Sequence, residues 1–115
     1  MHINASAIEK VLLFGDSLMA GYGLPKEHHL SFVLENNLKK NGFYIQVING
    51  SVSGSTSSNG LNRAEWIFSD PGIDLIILGI GANDMLRGIQ PRETEQNIER
   101  IIKIAQSKEK NIILA

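Results

Sequence analysis

A run of four apolar residues, Val11 to Phe14, leads directly into Gly15, Asp16 and Ser17. An uninterrupted run of this kind is typical of a strand buried on both faces, as in a parallel sheet. Gly15 then permits a sharp turn of the backbone. A serine just beyond the carboxyl end of a buried strand stands where open α/β sheets bind their ligands. Ser17 is therefore a candidate nucleophile, although these residues alone leave open the alternative that it only caps a helix.

The rest of the chain alternates strand-like and helix-like segments. Apolar and β-branched runs predict strands near 9–14, 43–48, 73–80 and 111–115. Apolar residues at helical spacing predict helices near 30–40, 59–69 and 91–107. Because strands and helices that alternate through short loops form right-handed crossovers, this order predicts a parallel sheet with helices on both faces, an α/β/α sandwich.

Each predicted helix carries an apolar face that we expect to pack on the sheet. The predicted inward-facing residues are Leu30, Val33, Leu34 and Leu38 in the first helix, Leu61, Ala64, Ile67 and Phe68 in the second, and Thr94, Ile98, Ile101, Ile102 and Ala105 in the third. Trp66 stands beside the second of these faces, and its simplest interpretation is a core residue.

Polar loops follow the first three predicted strands, and they carry Gly-Asp-Ser, Asn-Gly-Ser-Val-Ser-Gly and Gly-Ala-Asn-Asp. Because the carboxyl ends of parallel strands share one edge of the sheet, we expect these loops to converge there. Ser17 can then supply a nucleophile and its own backbone N–H. Gly54 can supply a second backbone N–H to which no Cβ blocks access, and Asn83 an uncharged side-chain donor. Such donors stabilise a developing oxyanion.

Length and charge limit the other function classes. A chain of 115 residues is long enough for one core, so we expect a single domain over 1–115. A net charge of −1 gives no reason to expect nucleic acid or an anionic membrane as a partner, and the absence of cysteine excludes disulfides and thiolate chemistry. No apolar run approaches the roughly 20 residues that a membrane span needs. Met1 to Lys10 lack the features of a signal peptide, which predicts a cytoplasmic protein, or a periplasmic one if an upstream signal was omitted.

Three blocks carry a resemblance to a known family. They are Gly15-Asp-Ser-Leu18 with its continuation to Leu24, Val47 to Thr56, and Gly81-Ala-Asn-Asp84. In this order and spacing they resemble the SGNH hydrolases, also called GDSL esterases and lipases, and are most similar to the bacterial acyl-thioesterase, lysophospholipase and arylesterase branch. The resemblance implies a flavodoxin-like fold and an acyl ester or thioester substrate without a cofactor. It also implies Ser17 as nucleophile, with Ser17, Gly54 and Asn83 forming the oxyanion hole.

Two departures from the family pattern matter. The second block usually has an acidic residue before its Thr, where this chain has Ser55. The family's catalytic Asp and His belong to an Asp-x-x-His motif after a further strand, and no such motif occurs in these 115 residues. We therefore expect a fold incomplete at the carboxyl end, without the last strand and helix. We also expect weak or no activity of the isolated chain, and self-association or a need for a complementary fragment. The alternative is a non-catalytic remnant, or one half of a split enzyme, that binds ligand.

Other side chains are candidates for the missing base or for the pocket. The histidines are His2, His28 and His29. His28 and His29 lie near the start of the first predicted helix and are the candidates for the base, although their simplest interpretation is two solvated side chains. Asp16, Tyr22, Asp84 and Arg87 are candidate pocket residues.

Two carboxylates can also hold Mg²⁺, so a metal-dependent phosphotransfer or binding domain of flavodoxin-like type is a third hypothesis. The simpler interpretation is that Asp16 turns away from Ser17 and that Asp84 hydrogen-bonds to nearby backbone.

Overall fold

The computed structural model describes residues 8–115. Its strands are β1 (Lys10–Gly15), β2 (Gln46–Asn49), β3 (Leu75–Gly79) and β4 (Asn111–Leu114). Its α-helices are α1 (Ser17–Ala20), α2 (Leu30–Lys40), α3 (Ser57–Ile67), α4 (Ala82–Leu86) and α5 (Pro91–Ser107), with a 3₁₀ turn at Lys26–His28. No helix in residues 8–115 is long and apolar enough to cross a membrane.

The four strands form one parallel sheet in the order β2-β1-β3-β4. The chain therefore leaves β1 toward β2 on one side and returns to place β3 on the other side of β1. The strand order reverses between β1 and β3, which is the point where open α/β sheets form a crevice for ligands. The loops that follow these two strands carry Ser17 and Asn83, so the topology alone directs both toward this crevice.

Helices cover both faces of the sheet, which confirms the predicted α/β/α layers. One core lies between the sheet and helices α3 and α5, and its buried residues are Leu12, Phe14, Ala64, Phe68, Ile73, Ile76, Leu78, Ile101 and Ala105. The other lies on the face of α1 and α2 and is built from Val11, Leu13, Met19 and Leu75, with Leu34 and Val47 packed against it. The strand residues alternate between the two cores, as a sheet buried on both faces requires.

Three predicted core positions are wrong. Trp66 is 82% exposed, because it projects from the solvent side of α3 while Ala64 and Phe68 point to the sheet. Leu30 and Val33 are each 42% exposed, so only the Leu34 side of the predicted α2 stripe packs against the core. The predicted faces of α3 and α5 do pack on the sheet.

The predicted bounds hold within about two residues for β1, β3 and β4, but β2 begins three residues later than expected. Its first pair is Lys10 with Gln46, and β1 offers no partner to residues 43–45. The Phe43 N–H instead donates to the Leu38 carbonyl and completes the end of α2. The short helices α1 and α4 were not predicted, since helices of four or five residues give no periodic pattern.

Candidate active site

The loop after β1 presents Ser17 at the first position of α1. Asp16 is the N-cap, and its carboxylate accepts a hydrogen bond from the Leu18 N–H at 3.3 Å. The alternative in which Ser17 serves only as the cap is therefore wrong. Within residues 8–115, no group hydrogen-bonds to the Ser17 hydroxyl. The Ser17 N–H belongs to the first turn of a helix, where backbone donors lack helical acceptors.

The loop after β2 is tied to the end of β1 by hydrogen bonds. Ser51 Oγ accepts from the Gly15 N–H at 3.0 Å and donates to the Leu13 carbonyl at 3.2 Å. The Val52 N–H donates to the Gly15 carbonyl at 3.2 Å. Gly54 then adopts a φ of 80°, a conformation that favours glycine. These bonds hold the second loop against the first.

The loop after β3 reaches the same place. Asn83 lies on α4, and its Nδ2 donates to the Ser55 carbonyl at 3.0 Å. Arg87 Nη2 donates to the Gly54 carbonyl at 3.2 Å. The third loop is thus anchored on the second, and the three polar loops converge as the sequence predicts.

Ser17 and Asn83 line one cavity of about 420 Å³ at this edge. Its lining residues are Asp16, Ser17, Leu18, Met19, Gly79, Ile80, Ala82, Asn83, Leu86 and Ala115. Apolar side chains make up most of the wall, and Leu18 and Leu86 are largely exposed at its rim. Gly54 is not among the lining residues; it lies one residue from the carbonyl that Asn83 contacts.

The hydrogen bond to Ser55 fixes the orientation of the Asn83 amide. One of its two N–H groups is taken by that carbonyl, which leaves the second for an acceptor in the cavity. Ser17 lines the same cavity, and its N–H is in the first turn of α1. Two uncharged donors beside a serine hydroxyl can stabilise negative charge that develops on a substrate oxygen.

A buried polar network supports α4 from behind. The Asp84 side chain is 1% exposed and accepts from the Ser57 N–H at 2.7 Å, from the Ser57 hydroxyl, and from Thr94 Oγ1 at 2.8 Å. Asn97 Nδ2 donates to Ser57 Oγ at 3.0 Å. Burial raises the pKa of Asp84, but the hydrogen bonds from Ser57 and Thr94 outweigh it, so the pKa lies below its ordinary value. The network joins α3, α4 and α5 next to Asn83.

None of the residues that line the cavity with Ser17 is a histidine. His29 Nε2 is 3.0 Å from the Leu24 carbonyl, and its ring packs against Gly21. His28 is exposed in the 3₁₀ turn, and His2 lies outside the described residues. The histidines of the described chain therefore do not reach the serine as a general base.

The other candidate pocket residues divide. Asp16 is one of the residues that line the cavity with Ser17, and its carboxylate accepts a hydrogen bond from the Leu18 N–H. Tyr22, which is 78% exposed, and Arg87 are not among the lining residues; Arg87 instead donates to the Gly54 carbonyl. Both carboxylate oxygens of Asp84 are engaged by Ser57 and Thr94, and not only by nearby backbone.

Among residues 8–115, no group of three His, Asp or Glu side chains lies close enough together to hold a metal ion.

The sequence did not single out Ser51, Ser57, Thr94 or Asn97 as parts of this site. Their partners are 10 to 40 residues away along the chain. A local signal exists only for the start of α3, where Thr56 and Asn59 form a capping box that places Ser57 in the first turn.

Comparisons with known proteins agree with this fold. The model of the GDSL-like lipase/acylhydrolase family matches residues 13–115. An arylesterase of Vibrio mimicus is 37% identical over 110 residues, which are 96% of this chain and 55% of that protein. The thioesterase 1/protease 1/lysophospholipase L1 of Escherichia coli is 33% identical over 99 residues, which are 86% of this chain and 46% of that protein.

Among solved structures, the SGNH-hydrolase family esterase AlinE4 superposes with a TM-score of 0.88 at 36% identity, covering 98% of this chain and 60% of AlinE4. The chain thus spans about half the length of the curated relatives that it matches.

Proposed function

The chain belongs to the GDSL-like lipase/acylhydrolase family, and from that premise we propose that it acts as a serine ester hydrolase with Ser17 as the nucleophile. The observation that carries the proposal is the shared cavity of Ser17 and Asn83 at the point where the strand order reverses. Gly54 is the third proposed member of the site, since its loop holds Asn83 through the Ser55 carbonyl.

The proposed reaction begins with attack of Ser17 Oγ on the carbonyl carbon of the ester. The carbonyl oxygen becomes an oxyanion and accepts hydrogen bonds from the Ser17 N–H, the Asn83 amide and the Gly54 N–H. The serine proton passes to a general base and then to the departing alcohol or thiol, and water releases the acyl group by the reverse proton transfers. Loss of one oxyanion donor typically costs about 10²–10³ in kcat.

The substrate class follows from the wall of the cavity and from the relatives. Leu18, Met19, Ile80 and Leu86 offer apolar contact to an acyl chain. The matched relatives are an arylesterase and a thioesterase/lysophospholipase. An acyl ester or thioester fits both observations, so we propose this class of substrate.

The general base is proposed to come from outside the residues described here, since the cavity lining contains no histidine. Removing the histidine of a Ser-His-Asp triad costs on the order of 10⁶ in kcat, about 8 kcal/mol of barrier. The 115-residue chain alone should therefore hydrolyse esters poorly. The same observation favours a second candidate for the isolated chain, namely a ligand-binding module without turnover.

A chimera tests the proposal. This chain is joined to the part of the Vibrio mimicus arylesterase that lies outside the aligned residues, and hydrolysis of p-nitrophenyl esters is compared with that of the chain alone. We expect activity of the chimera to exceed that of the chain by several orders of magnitude. Ser17→Ala should abolish it, and Asn83→Ala should lower kcat by about 10²–10³.

His29→Ala is the control, and it should leave the rate unchanged. Activity that survives Ser17→Ala would refute the proposal, and a folded, inactive chimera would favour the binding module.

A further inference from the structure

Arg63, on α3, is a half-buried cation with few acceptors. Its guanidinium carbon lies 4.6 Å from the centroid of the Phe14 ring. Nη1 donates to the Gly50 carbonyl at 3.0 Å and Nη2 to the Ser55 hydroxyl at 3.3 Å. Nε is buried without an acceptor in the described part of the chain. Neutral acceptors thus take only part of its hydrogen-bonding capacity, and none of them carries negative charge.

A second guanidinium, that of Arg87 at the end of α4, contacts the loop after β2: its Nη2 donates to the Gly54 carbonyl. Across residues 8–115, neither arginine has a carboxylate oxygen within 4.0 Å, and residues 1–7 include no Asp or Glu. Burial lowers the pKa of Arg63, yet a guanidinium stays protonated at any ordinary pH. Two uncompensated positive charges therefore flank the peptide between Gly54 and Ser55.

A cavity of about 330 Å³ opens beside this peptide. Its lining residues are Val52, Ser53, Gly54, Ser55, Asn59, Asn62 and Arg63, and none of them is acidic. The lining offers hydrogen-bond donors of several kinds: hydroxyls, side-chain amides, the guanidinium, and the Gly54 N–H, which has no acceptor in residues 8–115. An anion in this cavity would meet donors and positive charge without carboxylate repulsion.

We propose that this cavity binds a carboxylate or phosphate group, with Arg63 as its buried counter-charge. A guanidinium pairs with either group through two parallel hydrogen bonds, and such charge-assisted bonds are stronger than neutral ones. Arg87 adds positive charge at the Gly54 end of the site. The lining shares no residue with the cavity at Ser17, although the Gly54 N–H is also one of the proposed oxyanion donors. Arg63 takes no part in the proposed ester hydrolysis, so binding of the anion at Arg63 is tested separately from hydrolysis.

The test is an NMR titration of the ¹⁵N-labelled chain with inorganic phosphate and, separately, with acetate. Sodium chloride keeps the ionic strength constant. Both the Gly54 amide and the Arg63 Nε–H signals should shift saturably. A response to phosphate alone assigns a phosphate group, and an equal or larger response to acetate assigns a carboxylate. Absence of a saturable shift with either ion overturns the proposal.

Three variants and one control locate the site. Ser55→Asp places a carboxylate beside Arg63 and should weaken binding at least tenfold, whereas Ser55→Asn, which is similar in shape but uncharged, should retain it. Arg63→Met keeps an apolar contact with Phe14 and should also weaken binding at least tenfold. Arg100→Met removes a charge from the exposed side of α5 and serves as the control.

If Ser55→Asp does not fold, the Arg63→Met result decides alone. Binding that is as tight in Arg63→Met as in the parent chain would overturn the proposal.

Discussion

Asp84 shows how one residue can support the wall of a cavity without lining it. Its carboxylate is buried and receives three hydrogen bonds from Ser57 and Thr94, while its neighbour Asn83 faces the cavity. Loss of these bonds would free α4 from α3 and α5. Asn83 would then lose the support that sets its position.

Replacement of Asp84 by Asn should destabilise the chain by about 1–3 kcal/mol at pH 7, because buried donors lose an ionised acceptor. The folded-state pKa of Asp84 lies below the ordinary value of 3.8. The contribution of the Asp84 carboxylate to the free energy of unfolding is therefore fully present above that pH, and it is lost as the pH falls through the folded-state pKa. The variant should therefore lose less stability on acidification than the parent.

Urea unfolding of the parent and of Asp84→Asn between pH 7 and pH 3 measures both the loss of stability at pH 7 and the weaker acid dependence. Thr94→Val, which removes a single donor to the same carboxylate, is the matched control and should cost less at pH 7. Parallel acid dependence in the parent and in Asp84→Asn would contradict this account.

Residue-level prediction succeeded where the chemistry is local and failed where partners are distant. Ser17 and Asn83 could be predicted to lie at one edge of the sheet because each follows an apolar strand. The partners of Asp84 could not, since Ser57 lies 27 residues away along the chain. Gly15 was predicted correctly as a special position but for a different reason. A Cβ there would lie 2.5 Å from the Gly79 carbonyl oxygen, so the close approach of β3, and not the predicted sharp turn, requires glycine.

Gly15→Ala should therefore be destabilising by about 1–3 kcal/mol, the usual cost of overpacking a core. The nearest atom belongs to the backbone of β3 and cannot move aside as a side-chain end can. Thermal unfolding followed by circular dichroism measures the effect. A variant as stable as the parent would show that β1 and β3 can separate at their ends.

At the level of elements, the long periodic helices and the buried strands were predictable, and short or one-sided elements were not. Hydrophobic spacing predicts α5 because five of its apolar or small residues recur on one face. The same reasoning placed Trp66 inside, since a large aromatic next to an apolar face resembles a core residue. The face of α3 is narrow, with Ala64 and Phe68 at its centre, and position 66 falls on the opposite side.

Trp66 is the only tryptophan in the chain, so its fluorescence reports whether position 66 is buried or exposed. Its fluorescence should be that of a solvent-exposed indole and should be quenched by iodide in the folded chain nearly as strongly as in urea. Trp66→Gln should change the free energy of unfolding by no more than about 0.5 kcal/mol. Protection from iodide would place Trp66 in a contact that the present structure lacks.

At the level of the whole molecule, the outer edge of β4 is the exposed flank of the sheet. No strand in residues 8–115 pairs with this edge, and Ile113 and Leu114 are 43% and 56% exposed. The opposite flank is better protected, because Glu35 accepts a hydrogen bond from the Val47 N–H of β2 at 2.7 Å. Unpaired apolar edges invite pairing with another strand.

We therefore predict that the 115-residue chain associates with increasing concentration, and that Ile113→Lys shifts it toward monomer. A charge on an edge strand opposes pairing. Sedimentation velocity over a hundredfold concentration range measures this, with Leu30→Lys, on the exposed side of α2, as the control. A chain that stays monomeric at all concentrations and unfolds cooperatively would contradict the prediction, because it would show that the outer edge of β4 does not pair with another chain.

The central claim is that Ser17 is the nucleophile of the cavity that it shares with Asn83, and the most direct measurement is the site of covalent attachment of a fluorophosphonate. The serine oxygen displaces fluoride from phosphorus, so mass spectrometry of the digested chimera identifies the attacking residue. We predict a single adduct on the peptide that contains Ser17, absent in Ser17→Ala and slower to form in Asn83→Ala. An adduct on Ser51, Ser53 or Ser55 of the neighbouring loop, or labelling unchanged in Ser17→Ala, would contradict the account.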